Sequence, residues 1–161
     1  MTNEQINLIK KSFRPVMAQA AVAADVFYNR LFESEPNLRA LFPVDLQEQK
    51  QKLMKTLGLA VANLDKFDEL KPVLESLGRK HAEYGVREEY YPMVGGALLW
   101  TLSELLGAAN FDAATEEAWV EMFEVVSATM INAAHNSNNM VQTRVETAKL
   151  PQEKFLSSAV I

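Results

Sequence analysis

Two histidines occur among the 161 residues, and His81 is the one whose setting could support chemistry. It closes the series Leu70, Leu74, Leu77, His81, whose steps of four, three and four place it on the apolar stripe of a helix. A buried imidazole prefers its neutral form, and a neutral ring nitrogen is a good ligand for a metal centre. Spacing alone suits a packed core histidine with one hydrogen bond equally well. His135, next to the polar run Asn136-Ser137-Asn138-Asn139, reads as an exposed residue. The acidic pairs Glu33/Glu35, Glu88/Glu89 and Glu116/Glu117 diverge around a helix rather than converging on one substrate, so they read as solvated faces. No phosphate-cradling loop, dinucleotide fingerprint or nucleophile elbow is present. With zero cysteines, disulfides, thiolate zinc sites, iron–sulfur clusters and thioether-linked cofactors are all excluded.

The elements that must position His81 are helices throughout. Thr2 with Gln5 forms a capping-box pattern that opens a helix carrying Ile6, Ile9 and Phe13, which Pro15 should disturb or end. A second helix follows, with Val22, Val26, Phe27 and Leu31 as its inner stripe. Pro36 starts a short helix that stops at Phe42, because a residue preceding proline is pushed out of helical geometry. The next helix spans about residues 46 to 64, with Gln49, Leu53, Leu57 and Ala60 on one face. The His81 helix ends at Gly85, and another runs from Tyr90-Tyr91-Pro92 through Val94, Leu98, Leu102 and Leu105 to Gly107. Asp112 or Thr115 caps the last long helix, which carries Trp119, Phe123, Val126 and Met130. Trp100, Trp119 and the methionines sit at core spacing. The pattern predicts an all-α domain of seven or eight helices over residues 1–135. Residues 136–161 read as a tail, either disordered or docked on a partner subunit through Phe155, Leu156, Val160 and Ile161 in a homodimer.

A net charge of −5 and a pI near 5.1 argue against nucleic acid, which is normally met by a basic face. No basic-then-apolar leader opens the sequence and no apolar run of about 18 residues could span a bilayer, so a cytoplasmic protein is expected.

Several further residues fall into register with His81. Leu38-Arg39-Ala40-Leu41-Phe42 follows Phe27-Tyr28, with Tyr28 fourteen residues before Phe42. Gln49 and, one turn later, Leu53 precede Gly78-Arg79-Lys80-His81-Ala82-Glu83-Tyr84-Gly85-Val86. Tyr91-Pro92-Met93-Val94-Gly95 comes next. In this order, over roughly residues 4 to 134, the chain resembles the globin family, nearest to single-domain bacterial haemoglobins and the haem domain of flavohaemoglobins.

The resemblance implies a globin fold around haem b, with His81 as the iron ligand and its second N–H given to a backbone carbonyl one turn earlier, such as Leu77. Phe42 would wedge the porphyrin, and Leu53, Leu57, Leu77, Val86, Tyr91, Val94 and Leu98 would line the pocket. Tyr28 and Gln49 would offer donors to a ligand opposite the histidine, although Gln47 and Gln51 compete with Gln49 in register. The basic group Lys50, Lys52 and Lys55 is either surface solvation or a partner for a haem propionate. One departure stands out: where flavohaemoglobins carry a proximal glutamate, this chain has Ala134, and Glu124 lies too far upstream to replace it. A weaker electron push onto the iron follows, with less capacity to cleave O–O bonds. Three functions are thus carried forward: reversible binding of O₂ and other diatomics such as NO and CO; NO dioxygenation with an external reductase, since these residues leave no room for a flavin domain; and a haem-free helical interaction module.

Overall fold

In the computed structural model, which describes residues 1–145, every regular element is helical. Helix α1 (Asn3–Met17) opens on the Thr2/Gln5 capping box: Gln5 N–H donates to Thr2 Oγ1 at 3.2 Å and Thr2 N–H to Gln5 Oε1 at 2.7 Å. It buries Ile6, Ile9 and Phe13, and it continues past Pro15 to Met17 rather than stopping there. Helix α2 (Ala20–Ser34) leads into a 3-10 helix (Pro36–Leu41), and Phe42 leaves it in extended geometry (φ −113°, ψ 152°), as a pre-proline residue should. Helix α3 (Gln47–Ala62), a short 3-10 turn (Leu64–Lys66), α4 (Phe67–Glu83), α5 (Tyr90–Leu106) and α6 (Ala113–Val145) complete the order. The expected all-α architecture of seven to eight helices is therefore present.

Three expectations need correction. The inner face of α2 is Ala23, Ala24, Phe27, Tyr28 and Leu31, with Val22 turned outward at 51% exposure. Two alanines facing in let α2 lie close against α5 and α3, and that displaces the stripe by one residue from the bulky valine. Trp100 is not core: it is 37% exposed, with the Arg30 guanidinium 4.8 Å above its ring. Met17 is exposed as well, whereas Met54, Met122 and Met130 are buried. Finally, the run Asn136–Asn139 does not break the last helix, which carries on to Val145. Asparagine lowers helix propensity only modestly, and neither glycine nor proline occurs between Asp112 and Val145. The tail residues Phe155, Leu156, Val160 and Ile161 lie outside the described residues.

The most extensive helix contact joins α4 to α6. It is possible because Gly78 has no side chain: a Cβ there would lie 2.2 Å from the Met130 carbonyl oxygen. The far end of α6 is fixed against α1 by Trp119, which is fully buried and donates its indole N–H to Ser12 Oγ at 3.0 Å. At its other end α4 stops on Gly85 (φ +85°), a left-handed position suited to glycine, and Val86 N–H turns back to the His81 carbonyl at 3.0 Å. His81 thus sits between a backbone crossing one turn before it and a tight cap just after it.

Gly78→Ala should cost about 1–3 kcal/mol or more in chemical denaturation, because the clash is with backbone and cannot be relieved by a rotamer. Gly96→Ala, on an exposed part of α5 with nothing near its would-be Cβ, should instead be neutral or stabilise by up to about 1 kcal/mol. Equal effects at the two glycines would show that the α4–α6 crossing is not constrained at Gly78.

Candidate functional site

His81 is 4% exposed and lines a cavity, open on one side, whose other walls are almost wholly apolar. Its Nδ1 lies 2.8 Å from the Leu77 carbonyl oxygen. A carbonyl can only accept, so Nδ1 carries the proton and Nε2 keeps the basic lone pair of the neutral ring. Burial pushes the His81 pKa below the ordinary value, while the Leu77 hydrogen bond acts the other way without overcoming it. The ring is therefore a neutral, tautomerically fixed donor of one electron pair.

Of the residues expected around it, Leu53, Leu57, Leu77, Val86, Tyr91, Val94 and Leu98 all line this cavity. Tyr91 stacks obliquely on His81, with ring centroids 6.2 Å apart, and its phenol pKa is raised to about 12, chiefly by burial and then by the Glu88 charge. The cavity lining contains no carboxylate; Ala134 is half-buried on α6 and Glu124 faces solvent.

Tyr28, Phe42 and Gln49 do not line the cavity but gather beside it. Phe42 packs edge-on against Tyr28 (5.5 Å) and Phe32 (5.2 Å), and Tyr28 packs edge-on against Phe27 (5.0 Å). Because Phe27 also lines the cavity, it joins the two groups. The Tyr28 hydroxyl is completely buried and makes no hydrogen bond of ordinary geometry; Gln49 approaches it closely enough to favour the phenolate slightly, but burial dominates and holds the phenol far above its usual pKa. Gln49 is 2% exposed, whereas its rivals Gln47 and Gln51 face solvent. Lys50 is engaged by Asp25 at 2.7 Å, and exposed His135 pairs with Glu88.

Sequence reasoning missed the contribution of α6 to the cavity. Met122, Phe123, Val126, Ser127 and Met130 all line it, as do Phe27, Thr56, Ala60, Leu74 and Tyr90. The signal for it is the i, i+3, i+7 spacing of Phe123, Val126 and Met130, which marks one inward face of the helix.

A globin family model matches residues 25–130. The chain belongs to the globin family. It is 37% identical over 130 residues to a flavohemoprotein of Rhizobium meliloti, covering 76% of this chain and 31% of that protein. It is 31% identical to a neuroglobin of Tetraodon nigroviridis, covering 81% of this chain and 90% of that one. The chain spans about a third of the length of the flavohemoproteins it matches. Among solved structures, a bacterial globin from Campylobacter jejuni superposes with a TM-score of 0.74 at 26% identity, over 86% of this chain and 99% of that one. An engineered carbene transferase from Rhodothermus marinus gives 0.77 at 20% identity, over 88% and 99%, which speaks to the fold alone. Membership in the globin family, together with flavohemoprotein relatives, implies haem binding.

The donor set fits that group. Among the described residues no cluster of three or more His, Asp or Glu could hold a bare ion. A lone imidazole in an apolar cavity suits a metal that arrives with most of its ligands already supplied by a macrocycle.

A pH dependence follows from the lowered His81 pKa. In protein prepared without haem, His81 adds no penalty above its unfolded pKa near ~6.5, and stability is lost as pH falls from there toward the lower folded value, because the unfolded chain binds the proton first. The slope reaches at most about 1.4 kcal/mol per pH unit. Urea denaturation between about pH 7 and 5 should show His81→Leu losing less stability than the parent chain; parallel losses would mean that the imidazole is not held neutral.

Proposed function

We propose that this globin holds haem b through His81 Nε2 and binds O₂ reversibly, along with NO and CO. The observation that carries the reading is the combination of a fixed neutral imidazole in an apolar cavity with a buried Tyr28 hydroxyl beside it that has found no acceptor. A buried donor without an acceptor is costly, so its retention is best explained by an acceptor that arrives with a ligand. When bound, the haem supplies a ferrous iron able to take a diatomic ligand. The chain's own residues do the rest. His81 would fix the iron, and Leu53, Leu57, Leu77, Val86, Tyr91, Val94 and Leu98, with Phe42, would enclose the macrocycle and keep water from it. Burial keeps the Tyr28 phenol protonated through the physiological range, so it remains a donor. Tyr28 and Gln49 would favour O₂, which takes on partial negative charge, over the less polar CO.

A second reading, NO dioxygenation with a separate reductase in the cytoplasm, is supported by the flavohemoprotein relatives at 37% identity. The absence of a carboxylate from the cavity lining weighs toward ligand binding, because a histidine without an anionic partner pushes less electron density onto iron.

Tyr28→Phe should raise the O₂ dissociation rate about tenfold or more, the worth of one buried hydrogen bond to a charged acceptor, while changing CO dissociation by less than about twofold. Stopped-flow ligand replacement measures both rates; equal changes for the two gases would remove Tyr28 from the donor role. Mixing the oxygenated protein with NO and a reductant should consume about one equivalent of NO per haem without sustained turnover, and many rapid turnovers would favour the dioxygenase reading.

A further inference from the structure

We propose that Asp25 and Lys50 are positioning residues of the pocket: their ion pair pins the first turns of α3 to α2 and so holds Gln49 beside the Tyr28 hydroxyl. This rests on the assignment of Tyr28 and Gln49 as the ligand-facing polar groups. The start of α3 has few fastenings of its own. Its N-cap position, Leu46, contributes no side-chain cap, and Gln47, Glu48 and Gln51 all face solvent. Until Leu53 the sole buried side chain of the helix is Gln49 itself. Leu46 packs half-buried against the core, but within the helix apolar burial begins only at Leu53, and a buried amide gives no hydrophobic gain of its own.

Polar ties add to this packing. The Arg39 guanidinium donates to the carbonyls of Phe42 (3.3 Å), Pro43 (2.9 Å) and Val44 (3.0 Å), and Asp45 Oδ1 accepts from Gln47 N–H at 3.0 Å. These hold the incoming segment to itself. Beside the contact of Gln49 with Tyr28, a tie that crosses to another helix is Lys50 Nζ to Asp25 Oδ1 at 2.7 Å. Its ends are placed to act on the site: Lys50 directly follows Gln49, and Asp25 lies one helical turn before Tyr28. A helix moves as a rigid unit over so short a span, so fixing Lys50 against α2 fixes Gln49 against Tyr28. The Asp25 side chain is 58% exposed and that of Lys50 23%, so the pair is open to screening by salt, and its effect should be modest, about two- to fivefold.

The test uses the full chain with haem bound. Hydrogen exchange over residues 47–53 should become about two- to fivefold faster in Asp25→Asn and in Lys50→Met, and no faster again in the double variant, while α4 is unchanged. The exchanged pair Asp25→Lys with Lys50→Asp should restore the parent rate. Raising ionic strength to about 1 M should act on the parent chain as the single variants do and leave those variants unaffected. O₂ dissociation should follow the same pattern, and Asp25→Asn should have no effect in a Gln49→Leu background. Unchanged exchange at 47–53 overturns the clamp; faster exchange with unaltered O₂ release overturns its action on Gln49. If Tyr28→Phe and Gln49→Leu themselves leave O₂ release unaltered, the pocket assignment fails, and the exchange data still decide whether the clamp exists.

Discussion

An imidazole buried among apolar side chains has two ring nitrogens, and its own helix can satisfy one of them. In this globin the Leu77 carbonyl accepts a hydrogen bond from His81 Nδ1–H, which fixes the tautomer, while burial keeps the ring neutral and leaves the Nε2 lone pair to whatever occupies the cavity. Much of the surrounding structure serves that condition. Gly78 brings α4 against the Met130 backbone one turn before the histidine, and the left-handed turn at Gly85 folds Val86 back into the cavity wall just after it. Tyr91, from the start of α5, closes the side of the ring.

The cluster beside the cavity is held by different physics. Tyr28 is locked by an edge-to-face cluster with Phe27 and Phe42, and its hydroxyl is buried without a satisfied hydrogen bond. Gln49 arrives on a helix start where charged and polar contacts add to the packing of Leu46. The histidine side is therefore rigid by backbone geometry, while the position of Gln49 depends on contacts that are individually weak. Under the proposed function, a division of this kind would let ligand stabilisation vary without disturbing the hold of His81 on the iron.

Much of this was legible from residue types and spacing. The steps from Leu70 to His81 located the histidine on a buried stripe, and the pre-proline position of Phe42 and the glycine at 85 gave helix ends that the structure keeps. What spacing could not supply was distance between helices. Val22 looked like a core residue because valine is larger than alanine, yet close packing of α2 selects Ala23 and Ala24 instead. The lysines near Gln49 read either as surface solvation or as partners for a haem propionate, and the approach of α2 gives Lys50 a partner in Asp25. Gly78 opens the segment around His81, but its packing role exists because α6 crosses there. The polar run after His135 misled for the opposite reason, since a helix already anchored along its length tolerates a few weak helix formers.

The proposed bond from His81 Nε2 to iron is tested most directly by an absorption spectrum of His81→Gly. With haem supplied during expression, the variant should lose the Soret band of the parent protein, and added imidazole should restore it by filling the space with the missing ligand. A variant that keeps the parent spectrum without imidazole would contradict the assignment.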